Sequence, residues 1–205
     1  MTPLTKQGVT SLQSRRRFLR NLLGASAAAG IAGSGLSGTA LANTPREKDS
    51  KMPLSILARA LRATDKDICI AAAARLETLS AMASSFDLHL RSAGLDTADA
   101  TNIAAAIRGS TADEQLSLRS FSSSYNPGIG ELGAVALINS LPPTLSEIGM
   151  VGCSLSDESG EALLDWVQNA SSIRMICVEG NAYSPQMRQR ISDLRKDRSG
   201  LTVIV

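Results

Sequence analysis

One spacing constrains this chain more than any other. Leu145, Ile148, Met150, Cys153 and Leu155 are matched 28 residues later by Ile173, Ile176, Val178, Asn181 and Tyr183. A further 28 residues reaches Leu201 and Ile204 in the terminal "LTVIV". Upstream, Leu118, Phe121 and Asn126 keep the pattern, with Ser123 a weak rung and Ile129 displaced by one residue. Earlier still, Leu88, Leu90 and Leu95 keep it, with Ser85 at the first position and Ala93 where the others carry Asn or Cys. A unit this short cannot bury its own apolar face, so a fixed period implies stacked units sharing one core. Aromatic residues are only 3% of the chain, so that core is made of Leu, Ile, Val and Ala.

The pattern L-x-x-L-x-L-x-x-N/C-x-L resembles that of leucine-rich-repeat proteins, and its length resembles the ribonuclease-inhibitor subtype. The resemblance covers about residues 85–205. It implies an α/β fold: a short solenoid with parallel strands on a concave face and helices on the convex face. It also explains a cysteine inside an apolar run. At the ninth position each unit turns sharply and leaves buried backbone groups without strand partners, each costing about 1–3 kcal/mol if left unpaired. Asn supplies both donors and an acceptor there, and Cys is small and weakly hydrogen-bonding. Asn126, Cys153 and Asn181 are therefore expected to form one structural ladder, with Cys153 a rung and not a reactive thiol.

Helices are expected between the strands. Ser184-Pro185 places an N-cap serine before a proline at the first helical position. Met187, Ile191 and Leu194 follow as an inward stripe. Asp157 stands near the preceding cap, ahead of Ala162, Leu163, Trp166 and Val167. Leu132, Ala136, Leu137 and Leu141 form the stripe before that, and Thr97 caps Ile103, Ala106 and Ile107. Residues 53–84 read as a helical N-terminal cap: Leu54, Leu57, Ala58 and Leu61 in one helix, then Thr64 as N-cap for Ile68, Ala72, Leu76 and Leu79.

The N-terminus reads as an address. Ser14-Arg15-Arg16-Arg17-Phe18-Leu19-Arg20 resembles the twin-arginine export motif, with Arg15 and Arg16 as its pair. A weakly apolar stretch rich in Ala, Gly and Ser follows and ends in Ala40-Leu41-Ala42, where Ala40 and Ala42 make a small-x-small cleavage site. Residues 1–42 are thus expected to be a twin-arginine signal peptide and 43–52 a linker, giving periplasmic or secreted localisation with only transient membrane contact. The net charge of +2 is the balance of +5 on residues 1–42 (Lys6, Arg15, Arg16, Arg17, Arg20) and −3 on the remainder. A mildly acidic body lacks the basic face that nucleic acid requires.

In this architecture the side chains between rungs leave the concave sheet. They include Asp87, His89, Arg91, Arg119, Ser122, Tyr125, Glu147, Arg174, Met175 and Glu179. Tyr125, Arg119 and Arg174 are the residue types favoured at interface hot spots. The resemblance implies a non-catalytic, protein-binding module whose partner the residues do not name. Two alternatives carry their own predictions: a bacterial effector acting in a host cell, with the basic segment retained, or an envelope protein self-associating through its apolar C-terminal edge strand. A Ser–His–Asp set can be drawn from His89, Asp87 and Ser120 or Ser122, but nothing marks an oxyanion site. No C-x-x-C pair, phosphate loop or metal cluster is present in the sequence, so no cofactor or metal is expected. Three scattered cysteines leave a Cys69–Cys177 pairing open.

Overall fold

The structure, a computed structural model, describes residues 52–79, 83–110 and 117–205. The export motif with Arg15 and Arg16, the cleavage site at Ala40 and Ala42, and residues 43–51 of the linker lie outside the described residues.

The described chain is α/β, with six helices and a five-stranded parallel sheet. Helices α1 (Met52–Ala63) and α2 (Asp67–Glu77) come first. Then β1 (Ser85–His89), β2 (Ser117–Ser122), β3 (Glu147–Gly149), β4 (Met175–Cys177) and β5 (Thr202–Ile204) alternate with α3 (Thr97–Ser110), α4 (Gly130–Ile138), α5 (Asp157–Asn169) and α6 (Pro185–Asp197). Sheet order follows chain order from β1 to β5, and every neighbouring pair is parallel. Parallel neighbours need a crossover of a dozen or more residues, and the helices provide it.

Packing follows from the register. Leu88, Phe121, Ile148, Ile176 and Val203 stand opposite one another across the five strands, the first four fully buried. Leu90, Ser123, Met150 and Val178 form the next buried row. Burial of each large aliphatic side chain contributes about 1.5–3 kcal/mol. The Ser123 hydroxyl is the exception: it is buried without a hydrogen-bond partner.

At the sharp turns the amides do what the sequence requires. The Asn126 carboxamide accepts from Leu95 N at 3.1 Å and donates to Leu90 O at 2.8 Å and Ser123 O at 2.7 Å. Asn181 accepts from Cys153 N (2.8 Å) and Leu155 N (3.2 Å) and donates to Met150 O (2.8 Å) and Val178 O (2.7 Å). Cys153 Sγ donates to Ser123 O at 3.3 Å, and burial pushes its thiol up. The three cysteines are all free, so Cys69 and Cys177 are not paired.

Several expected positions are corrected. A bulge between Phe86 and Asp87 puts Phe86, not Ser85, opposite Leu118. The last turn is one residue shorter, so Val203 takes the rung and Ile204 lies 45% exposed on the opposite face. Leu132 is 73% exposed; α4 turns Gly133, Ala134, Leu137 and Ile138 inward instead. A Cβ at Gly133 would lie 2.9 Å from Ala100 Cβ, so helix proximity decides which face of α4 is buried. Ile68 is exposed, and Cys69, Ala72, Ala73 and Leu76 form the buried stripe of α2.

The caps also differ. Lys66, not Thr64, is the N-cap of α2; Thr64 Oγ1 donates to Leu61 O and accepts from Lys66 N, closing the turn. Asp96 and Asp99 make a reciprocal capping box at α3, while Thr97 Oγ1 donates to Ile129 O in the next unit. Asp157 likewise reaches forward, accepting from Ser184 N at 2.8 Å, and Glu131 accepts from Ser156 N and Ser159 N. Both carboxylates sit at the positive end of the following helix, where the backbone dipoles favour them. Ser184 caps α6 as expected, accepting from Met187 N at 3.1 Å.

Candidate binding surface

One face of the sheet is buried and the other is open. Strand alternation sends Phe86 and Leu88 inward and Asp87 and His89 outward, and the register carries this across the sheet. Two outward rows result: Asp87, Ser120, Glu147, Met175 and Thr202, then His89, Ser122, Gly149, Cys177 and Ile204. Asp87, His89, Arg91, Arg119, Tyr125, Glu147, Arg174 and Met175 are exposed, and Ser122 and Glu179 are half-buried.

The half of this face on β1 and β2 is internally paired. Arg119 grips both oxygens of Asp87, at 3.0 Å from Nε and 2.5 Å from Nη2. His89 Nε2 lies 2.9 Å from Ser120 Oγ, which donates to Glu147 Oε2 at 3.1 Å. Because that hydroxyl proton is committed to Glu147, the remaining partnership has Nε2–H donating to Ser120. This polarity is the reverse of an activated serine, whose proton the histidine accepts. Ser120 is also only 5% exposed, and Asp87 is engaged by Arg119 and not by His89. The Ser–His–Asp set drawn from the sequence is therefore not assembled.

Tyr125 dominates the rim. Its φ of 60° is left-handed, a conformation costing a side-chain-bearing residue about 1–2 kcal/mol. Glycine fills the corresponding place in the next two units, Gly152 at φ 59° and Gly180 at φ 71°, each preceding the ladder residue just as Tyr125 precedes Asn126. The ring is 45% exposed, the Arg91 guanidinium lies 4.1 Å above its centroid, and its Cδ1 would sit 3.3 Å from a Cβ at Gly152. The missing side chain of Gly152 leaves room for the ring.

The half on β3 to β5 is softer. Met175 is 39% exposed, Ile204 45%, and the half-buried Cys177 lies between their rows. Desolvation pushes the Cys177 thiol up, and the nearby Glu179 and Glu147 carboxylates push it in the same direction. Gly149 interrupts the second row; its open space is bordered by Ser122 Oγ and Ser124 Oγ, 3.1 and 3.4 Å from where a Cβ would stand. Sequence reasoning passed over Gly149 and Ser124, because a glycine offers no chemistry to notice and the run "SFSSSY" hides which serine faces out. Counting in twos from Ser120 would have found Ser124. Compared with models of known protein families and with curated proteins, the chain matches none.

Proposed function

We propose that this is an exported leucine-rich-repeat protein that binds another protein through the open face of its sheet and carries out no chemistry of its own. The observation that carries this reading is Tyr125: a strained, exposed aromatic at a turn where two neighbouring units use glycine. Strain held at a surface position points to a role outside the fold. An aromatic beside an arginine is also the composition typical of an interface anchor. The 28-residue period and the asparagine ladder support the repeat assignment.

Tyr125→Gly tests the reading without knowledge of the partner. Relief of the left-handed penalty opposes the lost contact with Arg91 and the greater freedom of glycine in the unfolded chain, each about 0.5–1 kcal/mol. Stability is therefore expected to stay within about 1 kcal/mol of the parent in urea unfolding. A loss of about 2 kcal/mol or more would make Tyr125 a packing residue and remove the principal support for the binding face.

A second reading rests on the outermost strand. Thr202–Ile204 has a neighbour on one side only among the described residues, and Ile204 is exposed. Edge pairing between copies would then assemble the protein. Sedimentation of the parent beside Ile204→Lys distinguishes the two: concentration-dependent oligomers abolished by the lysine favour assembly, and a strict monomer ends it.

A further inference from the structure

The two halves of the open face differ in what they leave unsatisfied. Toward β1, Asp87 is paired with Arg119, His89 with Ser120, and Arg91 with the Tyr125 ring. Toward β4, neither Glu147 nor Glu179 has an ion-pair partner among the described residues. Glu147 receives one hydroxyl, from Ser120; Arg119 is near enough to feel its charge, but its guanidinium is directed onto Asp87. Glu179 Oε2 is enclosed and has no hydrogen-bond partner. Arg174 is the exposed cation beside this half, and it precedes Met175, away from Cys177 and Glu179.

The geometry between the two carboxylates is specific. Glu147 stands opposite Met175, and Glu179 lies four residues beyond Met175 along the strand direction. At about 3.3 Å per residue the carboxylates are separated by about 13 Å. Between them lie Cys177 and the open space at Gly149, flanked by the exposed Met175 and Ile204. An extended polypeptide places side chains i, i+2 and i+4 on one face, and i to i+4 spans the same distance.

We infer that this half of the sheet receives an extended segment of the partner with the pattern basic–x–apolar–x–basic, its apolar side chain entering at Gly149 beside Cys177 and its two cations meeting Glu147 and Glu179. The inference rests on the protein-binding reading above and adds the chemistry of the bound segment. Charge complementarity of this kind selects the partner and its register more than it adds raw affinity.

The test uses the full-length chain and three blocked heptapeptides: acetyl-Gly-Arg-Ser-Leu-Ser-Arg-Gly-amide, the version with both arginines replaced by glutamate, and the version with leucine replaced by glycine. The arginine–leucine peptide is expected to bind at least about tenfold more tightly than either other, a difference of about 1.4 kcal/mol. It should also slow alkylation of Cys177 by iodoacetamide. Glu147→Gln with Glu179→Gln should weaken its binding about tenfold while leaving the urea midpoint unchanged. Equal binding of the arginine and glutamate peptides, indifference to the two glutamine substitutions, or no binding at all overturns the inference. A photo-crosslinker at Met175, used in cells, separates the two levels. If it captures a protein while the arginine peptide fails, the segment's chemistry is wrong and the binding face stands. If both fail, the binding face falls as well.

Discussion

Asn181→Ala is expected to destabilise the domain by about 3–5 kcal/mol. The substitution removes four hydrogen bonds at once, to Cys153 N, Leu155 N, Met150 O and Val178 O, all of them buried. Each buried backbone group left unpaired costs about 1–3 kcal/mol, and relaxation or an entering water recovers part of the sum. For a domain whose whole stability is about 5–15 kcal/mol, this is a large fraction. The protein's single tryptophan reports the transition: Trp166 is buried in the core and donates its indole N–H to Leu141 O at 3.0 Å. Cys153→Ser is the contrasting case. The hydroxyl can still donate to Ser123 O, and the slot is kept, so the expected cost is about 1 kcal/mol. Cys153→Leu, which overfills a fully buried position, should cost about 1–3 kcal/mol. A urea series in which Asn181→Ala costs no more than Cys153→Ser would contradict the ladder.

The second large effect concerns location. Changing Arg15 and Arg16 together to lysine is expected to abolish export while leaving the charge of the segment unaltered. Guanidinium is planar, with five fixed donors, whereas ammonium is a compact point charge, so a receptor reading the arginine pair distinguishes them. A merely basic cluster would not. The parent, produced in a bacterium, should leave the cytoplasm with an intact mass beginning at Asn43. The double-lysine variant should stay inside at full length. Full-length protein in the cytoplasm for both forms would contradict the export reading and favour retention of the basic segment, as an effector or organelle-targeted protein requires.

Much of the sheet was legible because its inward rows are strongly apolar and regularly spaced. Phe121, Ile148 and Ile176 occupy the places that the 28-residue period assigns them. Where the period slips by one residue, legibility fails for a definite reason. In "LTVIV" both neighbours of Val203 are candidates by hydropathy, and a one-residue shift exchanges the two faces of a strand. The bulge at Phe86 is the same ambiguity at the other end of the sheet. Helix α4, "GELGAVALI", is apolar on nearly every side, so spacing could not choose its buried face; the close approach of Gly133 to Ala100 does.

The binding face divides in the same way. Which side chains point outward follows from strand alternation and was readable residue by residue. What those side chains do to one another was not. Asp87 is two residues from His89 in sequence, yet it pairs with Arg119, 32 residues away, because the neighbouring strand brings that guanidinium alongside. The forward clasps from Glu131 to α5 and from Asp157 to α6 were hidden for the same reason, with partners 25 to 28 residues distant. The strain at Tyr125 was invisible as well, since a tyrosine in sequence carries no mark of a left-handed φ.

The measurement that bears most directly on the protein-binding claim is photo-crosslinking in the producing cell. One variant carries p-benzoylphenylalanine at Met175, on the open sheet face, and another carries it at Leu132, which is exposed on helix α4. The account predicts a discrete crosslinked species from Met175, reduced by Tyr125→Gly and absent from Leu132. Equal labelling from both positions, or a discrete species from Leu132 alone, would contradict it.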